Sequence, residues 1–184
     1  MTIRYSKITP EGVNENNQNL EPEPEWPSRG EICFENVEAR YRPELDLVLK
    51  GVSFTAKAGE KVGICGRTGA GKLTITLSLF RLIDLSSGRI TIDGVNISTL
   101  SLSGLRSRIG ESGVAKVVVM DEATSAVDGH TDGEVQEVIR ECFGKSTLVV
   151  ISHQINMIMD CNRVIVLGNR KVSENGSPTE VLKD

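Results

Sequence analysis

The sequence predicts an α/β fold, a core of parallel strands with a separate antiparallel layer ahead of it. Three observations carry that expectation. Short apolar segments of the kind buried on both faces recur as KVVVM (Lys116 to Met120), TLVVIS (Thr147 to Ser152) and RVIVL (Arg163 to Leu167). Helical patterns alternate with such segments, as in units whose strands run parallel. Aromatic residues make up only 4% of the chain, so Val, Ile and Leu must build the core, and that composition suits a buried parallel sheet.

Taken in order, residues 11–28 (EGVNENNQNLEPEPEWPS) are acidic, polar and proline-rich. Such a tract buries too little apolar surface to order itself, so residues 1–28 are expected to form a flexible linker and residues 29–184 a single domain. The length of 184 residues fits one domain with its own core. Glu31 to Val37 and Leu47 to Thr55 read as strands, the second alternating apolar and polar. Lys61 to Gly66 (KVGICG) is a short strand that runs into a glycine-rich loop. A helix is expected after the loop, with Ile75, Leu79 and Leu82–Ile83 roughly on one face. Ser86-Ser87-Gly88 reads as a turn, and Arg89 to Asp93 as a strand closed by Asp93-Gly94. Gly133 to Phe143 is expected to be helical, with Val135, Val138 and Ile139 facing inward.

Composition excludes several classes of function. The formal net charge is -4 and no Lys/Arg-rich run stands out, which argues against a nucleic-acid partner. Cys33, Cys65, Cys142 and Cys161 are scattered, with no CxxC pair, so neither a metal site nor a disulfide framework is expected. No apolar run approaches the roughly 20 residues that cross a bilayer, and Met1 to Pro10 lacks the apolar stretch of a signal peptide. The chain by itself is expected to be soluble.

The segment Gly66-Arg67-Thr68-Gly69-Ala70-Gly71-Lys72 follows a strand and opens a helix. Glycines there let backbone N–H groups curl around phosphate oxygens, Lys72 can reach the terminal phosphates, and the helix N-terminus adds a favourable dipole. In such a loop the residue after the lysine is a Ser or Thr whose hydroxyl binds Mg²⁺. Here it is Leu73, and the next residue, Thr74, is turned about 100° around the helix. Phosphate binding is therefore expected to survive and metal binding to be weakened. Further on, an apolar strand ends in Asp121-Glu122. That places Asp121 where a magnesium-side carboxylate belongs and Glu122 where a general base could activate water.

The stretch Met120 to Asp128, MDEATSAVD, resembles the Walker B motif and D-loop of ABC (ATP-binding-cassette) ATPases, and Gly66 to Lys72 resembles their P-loop. The resemblance implies a P-loop NTPase fold, a RecA-like parallel core sheet with an antiparallel β subdomain. It also implies ATP and Mg²⁺ as ligands. Tyr41 matches the family's A-loop aromatic that stacks on adenine, and His153 matches the H-loop histidine at the terminal phosphate and catalytic water. Asp128 corresponds to the D-loop aspartate, whereas His130 matches nothing. The arm with EWPSRGEICFENVEARYRPELDLVLKGVSF is similar to the second nucleotide-binding domain of multidrug-resistance-associated (C-subfamily) exporters. Membrane domains and a second nucleotide-binding domain are the partners that this implies, at the cytoplasmic face of a membrane.

The resemblance breaks between Arg108 and Val114. There the family has a glutamine-bearing Q-loop and a helical subdomain carrying an LSGGQ-type signature, and the span from Lys72 to Asp121 is too short to hold them. The expected fold therefore lacks the helical subdomain. The leading reading is the ATP-binding domain of an ABC-type exporter, an ATPase coupled to transport. The alternative is a catalytically impaired module, or truncated remnant, that binds ATP without turnover.

Overall fold

In a computed structural model the residues described are 20–109, 115–121, 142–152 and 155–182. The architecture follows from how the apolar strands divide their side chains. All five residues of Thr147–Ile151 are buried. Val149 and Ile151 enter one apolar cluster with Val62, Ile64, Ile165 and Leu167, while Leu148 and Val150 enter a second with Val118, Met157 and Cys161. Alternate side chains of a strand point to opposite faces, so a strand covered on both sides must be apolar throughout.

Five strands form this sheet: β3 (Lys61–Gly66), β6 (Val117–Asp121), β7 (Thr147–Ile151), β8 (Arg163–Gly168) and β9 (Lys171–Gly176), in the order β6-β7-β3-β8-β9. The first four are parallel and β9 returns antiparallel to β8. Helix α1 (Lys72–Leu79) and α3 (Ile155–Met159) supply apolar residues to the two clusters, Ile75 and Leu79 to one and Met157 to the other. Helix α4 (Pro178–Val181) closes the chain with a capping box between Ser177 and Glu180.

A second sheet is antiparallel, with β1 (Ile32–Ala39), β2 (Leu49–Ala56), β4 (Leu85–Ile92) and β5 (Val95–Asn96) in the order β2-β1-β4-β5. Phe34 and Phe54 stack across β1 and β2 with centroids 4.5 Å apart. Its apolar face shares the cluster that contains Val149 and Ile165, so one core joins the two sheets. This is the α/β fold expected, with the antiparallel layer separate from the parallel core. Among the described residues the remaining helical segments are α2 (Leu102–Arg108), a 3-10 turn at Ile97–Thr99 and the helical pair Cys142-Phe143.

Three expectations need correction. The turn expected at Ser86-Ser87-Gly88 lies inside β4, where the pairing with β1 shifts register between Glu35 and Glu38. Gly88 has φ +79, and a Cβ on it would sit 2.3 Å from the Asn36 carbonyl oxygen. A β-bulge thus uses the glycine that suggested a turn. The first helix stops at Leu79 instead of reaching Leu82–Ile83. Arg81 takes a left-handed φ of +50, and its guanidinium donates to the carbonyls of Ile97 and Leu100, which breaks the helical path. Of the helix expected over Gly133 to Phe143, residues 133–141 lie outside the described residues.

The third correction concerns the arm. From Leu20 onward it is packed on the domain. Leu20 N–H donates to Thr99 O at 3.0 Å, and Ser101 N–H donates to Leu20 O at 2.8 Å. The Trp26 side chain is 7% exposed and its Nε1–H donates to Ile92 O at 3.0 Å. One large indole outweighs the polar composition around it. The clamp is completed by Asp93, in the Asp93-Gly94 turn between β4 and β5. Its carboxylate accepts N–H bonds from Ser28, Arg29, Gly30 and Glu31 at 2.8–3.1 Å.

Burial alone would push the Asp93 carboxyl up, but the backbone N–H bonds outweigh it and hold the carboxyl below its ordinary range. A carboxyl depressed in the folded state stabilises above its unfolded pKa, and that stabilisation fades as pH falls through the folded value. Asp93→Ala is therefore expected to cost about 2 kcal/mol near neutral pH, after allowance for partial exposure. Urea unfolding of both proteins from pH 7 down to pH 2 checks this: the gap should close with acid, and a gap that stays constant contradicts the clamp.

Candidate nucleotide-binding site

Strand β3 is hydrogen-bonded to β7 on one side and β8 on the other, so its end is a fixed point. At that end Gly66 lies against β8: a Cβ there would come within 2.4 Å of the Leu167 carbonyl oxygen. The chain then turns through Arg67 to Gly71, with Ala70 N–H donating to Arg67 O at 3.0 Å. Gly69, φ +80, faces open space at the loop's tip. Gly71, φ +101, caps α1, and a Cβ on it would approach Leu49 Cδ2 at 2.8 Å and Val48 O at 2.9 Å. These glycines meet a geometric demand, since left-handed turns and close backbone contact admit no side chain. The loop delivers its N–H groups and the N-terminus of α1 to one place, which is an anion-binding arrangement.

Lys72 is 8% exposed, and its ammonium donates to Gly66 O at 2.7 Å and Arg67 O at 3.3 Å. The loop's own carbonyls thus hold the charge at the mouth of the cradle. The cleft beside it measures about 430 Å³ and is lined by Tyr41, Thr68, Gly69, Lys72, Leu73, Thr74 and Asp121, among others. Tyr41 follows β1, is 48% exposed, and stands on this cleft as a half-open aromatic wall. Asp121 ends β6 at the carboxyl edge of the parallel strands, beside Ile151 of β7. Binding clefts of parallel sheets open at this edge.

Residues far apart in the sequence thus converge on this cleft: Tyr41, then Thr68, Gly69, Gly71 and Lys72 of the loop, Leu73, Thr74 and Asp121, while Gly66, Arg67 and Ala70 line the neighbouring cleft. Glu122, Asp128 and His153 lie outside the described residues. So do residues 110–114, where the family resemblance breaks.

Among the described residues the metal ligands of this cleft are few. Leu73, at the position where a hydroxyl would be required, is 53% exposed and apolar. The neighbouring hydroxyl is committed elsewhere: Thr74 is 1% exposed and its Oγ1 shares a hydrogen bond of 3.0 Å with the Tyr41 hydroxyl. Among the described residues Asp121 is the one carboxylate that lines the cleft, and no cluster of three His, Cys, Asp or Glu could hold a metal. The described residues therefore fit a nucleotide's phosphates well and Mg²⁺ poorly. Cys65, just ahead of the loop, adds no reactive anion, because burial pushes its thiol up against the pull of Lys72.

Two features escaped the sequence. The Tyr41–Thr74 bond joins residues on different elements, and no periodicity announces it. Arg170 also lines the cleft, although no motif includes it.

Comparison with known proteins places this geometry in context. A family model described as ABC transporter matches residues 49–154. The metal resistance protein YCF1 of Saccharomyces cerevisiae is 36% identical over 236 residues, a match covering 89% of this chain and 16% of that protein. ATP-binding cassette sub-family C member 2 of Rattus norvegicus is 34% identical over 235 residues, covering 89% of this chain and 15% of that protein. The chain thus spans a small part of these relatives. Both matches run over more residues than the 184 in the whole chain, so the relatives carry residues inside the matched span that this chain lacks. A solved bacterial Atm1-family ABC exporter with ATP bound shares the fold, with TM-score 0.78 and 24% identity over 84% of this chain and 40% of that one.

The close contact at the end of β3 makes a graded prediction. Gly66→Ala must push aside backbone and is expected to destabilise by more than about 2 kcal/mol, whereas Gly69→Ala meets only the left-handed penalty of about 1 kcal/mol. Denaturant midpoints of the two variants, measured side by side, should fall in that order; equal losses would contradict the packing of Gly66 on β8.

Proposed function

The chain belongs to the ABC transporter family, and from that premise we propose that it is the ATP-binding domain of a membrane exporter, coupling ATP binding and hydrolysis to transport. The observation that carries this reading is the convergence of Thr68, Gly69, Gly71 and Lys72 of the loop with Tyr41 and Asp121 on one cleft at the carboxyl edge of the parallel strands. ATP enters with its adenine against Tyr41. Its phosphates lie in the N–H cradle of Thr68 to Lys72, with the Lys72 ammonium released from Gly66 O and Arg67 O to meet them.

Asp121 stands on the metal side of the phosphates, Glu122 is the general base, and His153 contacts the terminal phosphate. Leu73 denies magnesium one ligand. Phosphoryl transfer depends on positioning and electrostatics, so turnover suffers more than binding. Residues 29–184 constitute the ATPase domain, with the arm from Leu20 docked on it and leading toward a membrane-spanning part at the cytoplasmic face. Among the described residues no helix is long and apolar enough to cross a membrane.

The partners are membrane domains and a second nucleotide-binding domain. The short span from Lys72 to Asp121, and relatives whose matched span is longer, support a chain without the Q-loop and signature segment. Such a chain offers its own P-loop face to an intact partner and contributes no signature in return.

Thermal unfolding of the purified chain with ATP titrated in tests this reading. A ligand that binds the folded state alone stabilises by about 2.7 kcal/mol at a hundredfold excess over its Kd. A saturable rise in Tm that Lys72→Ala abolishes is the expected result, together with faster magnesium-dependent hydrolysis in Leu73→Ser. A melt indifferent to ATP would overturn the assignment.

A further inference from the structure

Arg170 lies on both flanks of the phosphate loop. It lines the cleft that holds Tyr41 and Lys72, and also a second cleft of about 710 Å³ on the other side of the loop. The residues that line both clefts with it are Thr68 and Gly69, the tip of the loop. An arginine that borders both sides of that tip stands next to the N–H groups offered to phosphate.

The backbone holds it there at a cost. Asn169 and Arg170 form the two-residue turn between β8 and β9, with φ +51 and +68. Such turns favour Asn and Gly at left-handed positions, and an arginine is strained in them. The residue is nonetheless held: Nη1 of its side chain donates to Leu47 O at 2.7 Å, and its backbone carbonyl accepts from Lys50 N–H at 2.9 Å. One bond orients the planar fork, whose other donors have the geometry for paired contacts with phosphate oxygens.

We propose that Arg170 is a phosphate-binding residue of the nucleotide cleft, a second fixed cation that grips the nucleotide's phosphates beside Thr68 and Gly69. It supplies positive charge in a site where Leu73 withholds a metal ligand, and so sustains affinity for ATP. The proposal rests on the reading of this cleft as an ATP site. The competing role is purely structural, a tie between the β8–β9 turn and the segment before β2.

Calorimetric titration of ATP and AMP into the full chain, as wild type, Arg170→Gln, Arg170→Gly and Lys72→Ala, separates the possibilities. Glycine accepts the left-handed turn without strain, so Arg170→Gly should keep its unfolding midpoint while losing the charge. Loss of charge-assisted contacts is expected to weaken ATP by about tenfold in both Arg170 variants, and AMP by less. ATP affinity within twofold of wild type in either folded variant, or an equal loss for AMP, would overturn the role of Arg170. In that event wild-type binding that Lys72→Ala removes would leave the ATP site standing. Absence of ATP binding by the wild type would sink both.

Discussion

The candidate nucleotide site depends on one steric contact, the backbone of Gly66 pressed against the carbonyl of Leu167 where β3 passes β8. Strand β3 sits in the middle of the parallel sheet, with β7 bonded to Val62, Gly63 and Ile64 and β8 to the same stretch from the other side. A central strand held on both edges has no freedom to drift. The loop that leaves it therefore starts from a point fixed by the whole core. Gly71 repeats the device at the other end of the loop, closing on Leu49 at the start of β2 and on Val48 just before it. Two sheets that share one apolar cluster thus grip the two ends of one phosphate loop.

What the site can do follows from how its polar groups are already satisfied. The Lys72 ammonium, nearly buried, is held by two loop carbonyls, so its charge is available to a phosphate at the cost of those bonds alone. Thr74 is the opposite case. Its hydroxyl is buried and bonded to Tyr41, and to reach a metal it would have to abandon that bond and its place in the helix. Position 73 carries an exposed apolar side chain, and the hydroxyl beside it is already bonded to Tyr41.

Much of this was legible in the sequence. The parallel strands announced themselves because burial on both faces demands uninterrupted apolar residues, as in TLVVIS. The phosphate loop was legible because its glycines answer backbone demands that no other residue meets. Serine and glycine at 86–88 misled, since a bulge and a turn use the same residues and only the partner strand tells them apart. The arm misled because composition averages over a window, while Trp26 alone carries enough apolar surface to dock. The Tyr41–Thr74 bond and Arg170 gave no signal, because both depend on which loops the finished fold brings together. Glu122, read from the end of an apolar strand, and His153, read from family resemblance, lie outside the described residues.

The most direct test of the account is amide hydrogen exchange along the chain, with and without ATP. Saturating ATP should slow exchange at Thr68 to Leu73 and at the start of α1, with little change across β1, whose amides are already engaged with β2 on one side and β4 on the other. Exchange at the loop that is unaffected by ATP, or protection confined to another surface, would contradict the claim that the glycine-rich turn after β3 is the nucleotide's cradle.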